Sequence, residues 1–497
     1  MMYTSTRDRA VSATAAQAIT QGISNEGGLF VPQSLPQFKA DELAAMVSQS
    51  YVERAVTVLS RFLTDFSAEE VRECAESAYG TGRFLAPEVA PVHSLKDGVH
   101  VLELWHGPTC AFKDMALQIL PHLMRVSAKK TSDGKEIVIL VATSGDTGKA
   151  ALEGFRDAEH TRILVFYPEN GVSPMQKLQM TTQEGGNVGV CAIRGNFDDA
   201  QSGVKAIFTD PAMRQVLAEQ GMMFSSANSI NWGRLVPQIV YYFSAYCDLV
   251  AAGSVVMGDP VNVAVPTGNF GNILAAYYAR EMGVPINRLI CASNCNNVLT
   301  DFIQTGTYDR RRAFHTTSSP SMDILISSNL ERLLYHLSGG DASLVADLMK
   351  QLQENGQYTV PETLLKTLRE LFVGGWCDDE NTMKAIRKTY EEQGYLCDTH
   401  TAVAVSVCEA YRSESGDNTP IVLASTADPY KFSASVLAAL GADCEEDEFA
   451  KVDRLHSLTG APVPPSLSAL KGKAPRFTQV CDRDTMEQTV RAMLSVK

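Results

Sequence analysis

Hydrophobic positions in the middle of the chain fall into short continuous runs separated by segments of helical spacing. Residues 136–143 form an apolar, β-branched run, and similar runs follow at 163–167 and 261–265. Such runs are typical of strands buried on both faces of a parallel sheet. Four stretches between and after these runs have helical patterns, at 149–155, 175–183, 199–208 and 273–282. The alternation predicts right-handed βαβ crossovers and an α/β fold with doubly wound, mostly parallel sheets.

Three of the predicted turns lie where a buried strand ends in polar residues. They comprise residues 144–148, 266–272 and 425–428, the last after one more strand at 420–426. Ligands of doubly wound sheets bind at the carboxyl ends of the strands. The sequence therefore predicts a ligand site built from these three turns.

The flanks of this pattern differ from its centre and suggest the domain organisation. Residues 1–95 are predicted to be mainly helical and connective, and 96–300 to form a core with a smaller α/β lobe. Residues 301–400 break the alternation and are predicted to be a helical insertion, and 401–497 to complete the core and form a tail. The insertion contains helical patterns at 330–337, 343–353, 362–372 and 380–393.

Composition excludes several classes of function. A net charge of −14 over 497 residues argues against a nucleic-acid partner or an anionic membrane surface. No apolar run approaches the roughly 20 residues needed to span a bilayer, and no signal peptide is evident. The eleven cysteines are scattered, which predicts reduced thiols in a cytoplasmic protein. Cys291 and Cys295 lack a second pair of ligands, so no metal site is expected.

A single lysine, Lys113, follows a Gly-Pro turn and precedes an apolar, helix-like segment. Taken alone, this stretch also fits an ordinary surface lysine near the start of a helix. If the lysine is partly buried, burial lowers its pKa and makes the amine a nucleophile able to form a Schiff base. The choice between the two depends on the rest of the chain.

The turn after the 261–265 strand contains two glycines and leads into a helix. Converging backbone N–H groups and the positive end of the helix make such a turn suitable for a phosphate. The turn is neither a dinucleotide fingerprint nor a P-loop. Its candidate phosphate ligands are Gly268, Asn269, Phe270, Gly271 and Asn272.

Two further polar stretches are candidates for binding an anionic ligand. The first surrounds the turn at 144–148, where Asp146 either orients a ligand or caps the following helix. The second, at 225–234, is either a capped helix start or an anion site with a bidentate arginine. The candidates for substrate contacts in these stretches are Thr143, Ser144, Thr147, Asn228, Ser229, Asn231 and Arg234. A lysine amine, anion-holding turns and a hydroxyl at a strand end, that of Thr426, together fit pyridoxal phosphate.

With these motifs in place, the chain resembles the threonine synthases, which are pyridoxal-phosphate enzymes of fold type II, similar to the tryptophan synthase beta chain. The resemblance covers nearly the full length, and residues 1–95 correspond to the family's N-terminal domain. The matching motifs include residues 106–109 with 111–114, 144–148, 228–231, 268–271 and 321–324. One departure is Asp428, which stands where the family usually has histidine.

The resemblance implies roles for the candidate residues. Lys113 is the catalytic residue and carries the cofactor in a Schiff base, while residues 268–272 hold the cofactor phosphate. Thr426 hydrogen-bonds the ring nitrogen, and Asp146 lies beside the cofactor ring. The implied reaction converts O-phospho-L-homoserine and water to L-threonine and phosphate, in a monomer or homodimer.

Three alternatives stay open on the sequence. One is a phospho-lyase on the same scaffold that releases 2-oxobutanoate, and another is a serine or threonine dehydratase. The third is a binding protein that kept the fold and lost activity, although the retained lysine and both anion turns speak against it.

Overall fold

The computed structural model describes residues 1–132, 134–143, 145–170, 172–442 and 447–496. The N-terminal region is mainly helical, as predicted, and contains one antiparallel pair of short strands. Its elements are β1 (Tyr3–Ser5), α1 (Ala15–Gln21), β2 (Phe30–Pro32), α2 (Ala40–Met46), α3 (Tyr51–Phe62) and α4 (Ala68–Tyr79).

The next part of the chain begins with two strands and then alternates helix and strand. Its elements are β3 (Val92–Ser94), β4 (Val99–Glu103), α5 (Asp114–Leu117), α6 (Leu120–Thr131), β5 (Glu136–Ala142), α7 (Asp146–Gly154), β6 (Thr161–Pro168), α8 (Pro174–Thr181), β7 (Val188–Arg194), α9 (Phe197–Thr209), α10 (Pro211–Glu219) and β8 (Met222–Ser225).

The remaining elements include a long central helix and the chain's last strand. They are α11 (Trp232–Ala251), β9 (Val261–Pro266), α12 (Gly271–Glu281), β10 (Ile286–Ser293), α13 (Val298–Thr305), β11 (Thr307–Asp309), α14 (Leu330–Leu337), α15 (Ala342–Asn355), β12 (Gln357–Thr359), α16 (Glu362–Leu371), β13 (Phe372–Trp376), α17 (Asp379–Gln393), α18 (Thr399–Ser415), β14 (Ile421–Ser425), α19 (Ser433–Ala439), α20 (Glu448–Thr459), α21 (Pro465–Ser468), β15 (Val480–Asp482) and α22 (Met486–Leu494).

Two sheets organise these elements into two lobes. The large lobe contains a sheet of order β13-β10-β9-β14-β4-β3, parallel except for the pairing of β3 with β4. The small lobe contains a fully parallel sheet of order β15-β7-β6-β5-β8. The predicted fold class, doubly wound and mostly parallel sheets in two lobes, is confirmed.

Strand β5 explains why continuous apolar runs mark this fold. Ile137, Ile139 and Val141 pack into the cluster shared with the long helix α11, whereas Val138 and Leu140 pack into a second cluster beneath α9 and α22. Successive side chains of a strand point to opposite faces, so a strand covered on both sides needs apolar residues at every position. The small lobe is therefore sandwiched between helices.

Helix α11 is the centre of the large lobe's hydrophobic core. It is buried almost all round over its 20 residues, and the rings of Tyr3 and Phe62 pack on Trp232 with centroid distances of 5.3 and 5.5 Å. A helix that is apolar on every face belongs in an interior. The packing fixes the N-terminal region against the helix whose start carries Arg234.

Residues 301–400 are mainly helical, but they also supply strands. Helix α16 ends at Leu371, one residue before the end of the helical pattern predicted at 362–372. Phe372 instead begins strand β13, which pairs with β10 at the edge of the large sheet. The sequence pattern predicts no strand here because β13 contains Gly374 and Gly375. A Cβ at Gly375 would lie 2.6 Å from a methyl carbon of Val407, so close packing explains the glycine.

No helix among the described residues has both the length and the apolar character needed to cross a membrane.

Candidate active site

Lys113 lies on a loop that runs from the end of β4 to the start of α5. Cys110 adopts a left-handed backbone conformation with φ 59°, and Ala111 forms an isolated bridge with Ala427 just beyond β14. The Phe112 N–H donates to the carbonyl oxygen of Thr426 at 2.8 Å. The neighbouring strands β4 and β14 therefore bring Lys113 and Thr426 together, as the sequence predicts.

The Lys113 amine has polar neighbours on two sides. Its Nζ donates to Ser321 Oγ at 3.3 Å, lies 3.7 Å from Asp146 Oδ2, and lies 4.9 Å from the centroid of the Phe112 ring. Burial lowers the pKa of Lys113 to about 8, because desolvation outweighs the attraction of Asp146. The positive charges of Lys431 and Arg234 lower the pKa of Lys113 further. The lysine is not the ordinary surface residue that the sequence left open.

Asp146 is the first residue of α7 and faces the large lobe. Its Oδ1 accepts hydrogen bonds from Gln176 Nε2 at 3.0 Å and from the Lys431 ammonium. Burial raises the pKa of Asp146, but the positive charges of Lys431 and then Lys113 outweigh burial and hold this pKa well below its ordinary value. Asp146 is thus a buried carboxylate held in its charged form, and its other oxygen is directed toward Lys113.

The glycine turn predicted at 267–272 connects β9 to α12. A Cβ added at Gly268 would lie 2.7 Å from the Ser321 carbonyl oxygen, so only glycine fits there without a backbone shift. The Asn329 N–H and Nδ2 both donate to the Asn269 carbonyl, at 3.1 and 3.0 Å. These contacts fix the turn from outside and leave the start of α12 available to an anion.

Two of the buried donors that have no hydrogen-bond partner within the described part of the chain belong to predicted ligand residues. One is Asn272 Nδ2, whose amide oxygen is already bonded by Tyr242 OH, and the other is Arg234 Nε. Burial lowers the pKa of Arg234 to about 10. Buried polar groups are rarely left unpaired, so donors of this kind point to an anionic ligand.

Of the other polar candidates, two are engaged in hydrogen bonds that hold the local backbone, and three are half-buried. Thr143 Oγ1 accepts from the N–H groups of Gly145 and Gly148 at 3.0 and 2.9 Å, so this hydroxyl holds its own turn. Asn231 caps α11 through Gly233 N–H and donates to two backbone carbonyls, so its amide is also engaged. Thr147, Asn228 and Ser229 are half-buried, and Ser144 lies outside the described residues.

Arg332, which the sequence analysis does not single out, connects two parts of the site. This fully buried arginine donates to the Ile230 carbonyl at 2.6 Å and to the side chain of Asn329, which in turn holds the glycine turn. Its position in the predicted helical insertion gives no signal of this role, because Ile230 is distant in sequence.

A second unpredicted group supports Ser321 from behind. His400 Nδ1 bonds Asp398 Oδ1 at 2.8 Å, and His400 Nε2 accepts the Ser321 N–H at 3.1 Å. Because a backbone N–H can only donate, Nε2 carries no proton and Nδ1–H donates to Asp398. The pair therefore fixes the serine whose hydroxyl accepts from Lys113.

The residues present fit pyridoxal phosphate. A buried amine of lowered pKa is the group that joins an aldehyde, and a rigid glycine turn with the unpaired donor of Asn272 is the group that holds a phosphate. Two lobes of parallel sheet with this constellation between their carboxyl edges define a pyridoxal-phosphate-dependent enzyme of fold type II.

Comparison with known proteins agrees with this class and narrows it. The chain matches the family described as pyridoxal-phosphate dependent enzyme over residues 85–427. It also matches the families described as threonine synthase N terminus over 2–79 and threonine synthase, C-terminal, over 401–491. The chain belongs to the threonine synthase family.

The similar proteins include both synthases and synthase-like proteins. A threonine synthase of Pseudomonas aeruginosa is 41% identical over 439 residues, covering 88% of this chain and 90% of that protein. Human threonine synthase-like 1 is 43% identical over 435 residues, 86% of this chain, but the match spans only 58% of the human protein. The PLP-bound threonine synthase structure from Brucella melitensis aligns with a TM-score of 0.88 at 37% identity, covering 99% of both chains.

Proposed function

We propose that the protein is a threonine synthase, converting O-phospho-L-homoserine and water to L-threonine and phosphate. The observation that carries this proposal is the surplus of buried donors and positive charge around Lys113. Arg234 and Lys431 both lie within its electrostatic reach, and the predicted ligands Asn272 and Arg234 each have a donor that is unpaired among the described residues. A site that must hold the phosphates of both cofactor and substrate needs such a surplus.

The cofactor, when bound, supplies an aldehyde for the substrate amine and a ring that withdraws electrons from the substrate's Cα. In the proposal, the Lys113 amine takes the proton from Cα and then one from Cβ as phosphate leaves Cγ. Protons return to Cγ and, once water has added its hydroxyl at Cβ, to Cα. A pKa of about 8 suits this exchange near neutral pH. Asp146, ionised and 3.7 Å away, stabilises the ammonium form of Lys113 while it carries a proton.

The remaining candidate residues hold and orient. Residues 268–272 would hold the cofactor phosphate, and the Thr426 hydroxyl would hydrogen-bond the ring nitrogen. Arg234 binds the substrate phosphate with Asn228 and Ser229, while Asn231 shapes their loop through its capping bond. Thr147 would contact the amino-acid end of the substrate, a role that the sequence also gives to Ser144, and Thr143 bonds the N–H groups of Gly145 and Gly148.

A second candidate function is a phospho-lyase that releases 2-oxobutanoate, because the proteins similar to this chain include ones named threonine synthase-like as well as threonine synthases. Both functions use the same amine and the same anion sites. They differ in whether water adds at Cβ before the product leaves.

The test is to incubate the purified protein with O-phospho-L-homoserine and identify the products. We expect threonine and phosphate in equal amounts, quantified by amino-acid analysis and a phosphate assay. Phosphate released with 2-oxobutanoate in place of threonine would establish the lyase. Conversion of L-threonine itself to 2-oxobutanoate, with the phosphorylated substrate left intact, would establish the dehydratase.

We also propose that the enzyme works in the cytoplasm. The ten described cysteines are all free thiols, which suits a reducing compartment.

A further inference from the structure

Lys431 is a second lysine in the site, and its ammonium is completely buried. It lies on the 3-10 turn Pro429–Phe432 that follows β14. Its Nζ donates to the Thr109 carbonyl at 3.0 Å and pairs with Asp146 Oδ1. Lysine is almost never fully buried unless it is paired, so the position demands an explanation.

We propose that Lys431 is a positioning residue that keeps the Lys113 amine uncharged and ready to react, because its buried positive charge offsets the negative charge of Asp146. This inference rests on the role proposed above for Lys113. Without Lys431, Asp146 would keep only the neutral Gln176 as a partner for Oδ1, and its uncompensated negative charge would hold the neighbouring amine as an ammonium ion.

The geometry shows how Asp146 is divided between the two lysines. Oδ1 is bonded by Lys431 and Gln176, whereas Oδ2 is 3.7 Å from Lys113, beyond hydrogen-bond distance. Lys113 donates instead to the neutral hydroxyl of Ser321. The closer contact with the Asp146 carboxylate is therefore made by Lys431 and not by Lys113, the lysine proposed to react.

The other charged groups around Lys113 are few and already engaged. Asp114, on the same element, accepts from Thr109 N–H and Oγ1 at 2.8 and 2.7 Å, and burial raises the pKa of Asp114 to about 6. Arg234, on α11, adds positive charge and lowers the pKa of Lys113 in the same direction as Lys431. Asp428 faces Lys431, and its Oδ1 accepts from the Tyr430 N–H. Of these groups, Asp146 is therefore the carboxylate that Lys431 can control.

A purely structural role is the competing explanation. Lys431 belongs to the large lobe and Asp146 to the small lobe, so the pair also ties the lobes together. If the pair only joined the lobes, loss of Lys431 would lower the stability of the fold. If Lys431 has the proposed role, its loss would change the protonation of Lys113, so the two explanations can be told apart by experiment.

The experiment measures the protonation of Lys113 in the full-length chain after removal of pyridoxal phosphate. Trace acetic anhydride acetylates only uncharged amines, and peptide mass spectrometry gives the acetylation of Lys113 relative to exposed Lys205 from pH 6 to 10. The variants are Lys431→Met, Lys431→Arg, Asp146→Asn and the double variant Asp146→Asn with Lys431→Met.

We expect Lys431→Met to move the labelling midpoint of Lys113 upward by about one pH unit, which lowers labelling at pH 7 about tenfold. Lys431→Arg keeps the charge and should label within about twofold of the wild type. Asp146→Asn should move the midpoint down, and the double variant should return it close to the wild-type value.

Two outcomes would overturn the inference: an unchanged midpoint in Lys431→Met, or an equal shift in Lys431→Met and Lys431→Arg. If Lys431→Met does not fold, the comparison moves to Asp146→Asn and the double variant, and identical midpoints there would overturn it. A chain that shows the expected midpoints but forms no threonine would refute the proposed function alone.

Discussion

The carboxyl edges of the two sheets each carry a buried aspartate beside Lys431, and the two carboxyl groups differ in charge. Asp428, at the edge of the large sheet, is 3% exposed, and burial raises its pKa to about 7. Asp146, at the edge of the small sheet, is 4% exposed, yet its cationic neighbours hold its pKa below the ordinary value. At equal burial, a direct contact with an ammonium decides which carboxyl group is charged.

Because of this difference, the two lobes contribute chemically different groups to the site. The small-lobe edge contributes a fixed negative charge that acts on the Lys113 amine. The large-lobe edge contributes the amine itself and donors suited to anions, among them Asn272 Nδ2, which has no partner among the described residues. Four variants can break or sharpen this division.

Removal of the amine should have the largest effect. Lys113→Ala is expected to lower kcat by at least about 10³-fold, because no other group at that position can exchange the proton at Cα. Borohydride reduction followed by peptide mass spectrometry should place the pyridoxyl group on Lys113 in the wild type. The matched control, Lys205→Ala on the exposed face of α9, should behave as the wild type; a pyridoxyl group on another lysine would refute the assignment.

The glycine turn should be the next most sensitive point. Gly268→Ala places a methyl group 2.7 Å from the Ser321 carbonyl oxygen and should weaken cofactor affinity about 100-fold, measured by absorbance titration. Gly186→Ala is the control, because its Cβ would meet only the Asp157 side chain at 3.6 Å. Equal affinities in the two variants would mean that the turn does not hold the phosphate.

Arg234 tests whether the large-lobe donors bind the substrate. Arg234→Ala should raise KM for O-phospho-L-homoserine about 10-fold or more, because a buried charge-assisted hydrogen bond to phosphate is lost. Cofactor content is measured in parallel to separate substrate binding from cofactor loss. Arg214→Ala, on the exposed face of α10, is the control, and an unchanged KM in Arg234→Ala would remove Arg234 from the substrate site.

The smallest effect on activity is expected from Asp428, whose replacement should change stability measured against pH. Because burial raises the pKa of Asp428 to about 7, the folded chain holds this proton more tightly than the unfolded chain. Its contribution is complete below about pH 4 and is lost as pH rises to 7. Asp428→Asn should therefore gain stability relative to the wild type over that range, by at most about 4 kcal/mol in urea unfolding. Parallel curves for the two proteins would show that Asp428 is already ionised.

Much of the fold and the main lysine could be predicted because their signals are local. The run at 136–143 marks a strand covered on both faces, and Lys113 follows a turn with a distinctive sequence. The motif matches pointed to the family, and the family and its cofactor are confirmed.

What the sequence could not supply depends on contacts across long separations. Arg332 reaches Ile230, His400 reaches Ser321, and Lys431 reaches Asp146, although none of these partners is a neighbour along the chain. Strand β13 escaped prediction because its two glycines hide its periodicity. Asn231 illustrates a different difficulty: its polar side chain predicts a contact with a ligand, but in the structure this side chain caps α11.

The small lobe is closed by the end of the chain: β15 pairs with β7, and Met486, Val490 and Leu494 of α22 fill the same cluster as Val138 and Leu140. During synthesis on the ribosome, the sheet of the small lobe has both edges in place only after residues 480–482 have left the exit tunnel. A chain released near residue 475 would therefore contain every proposed catalytic group but lack β15 and α22, which leaves one face of this sheet partly uncovered.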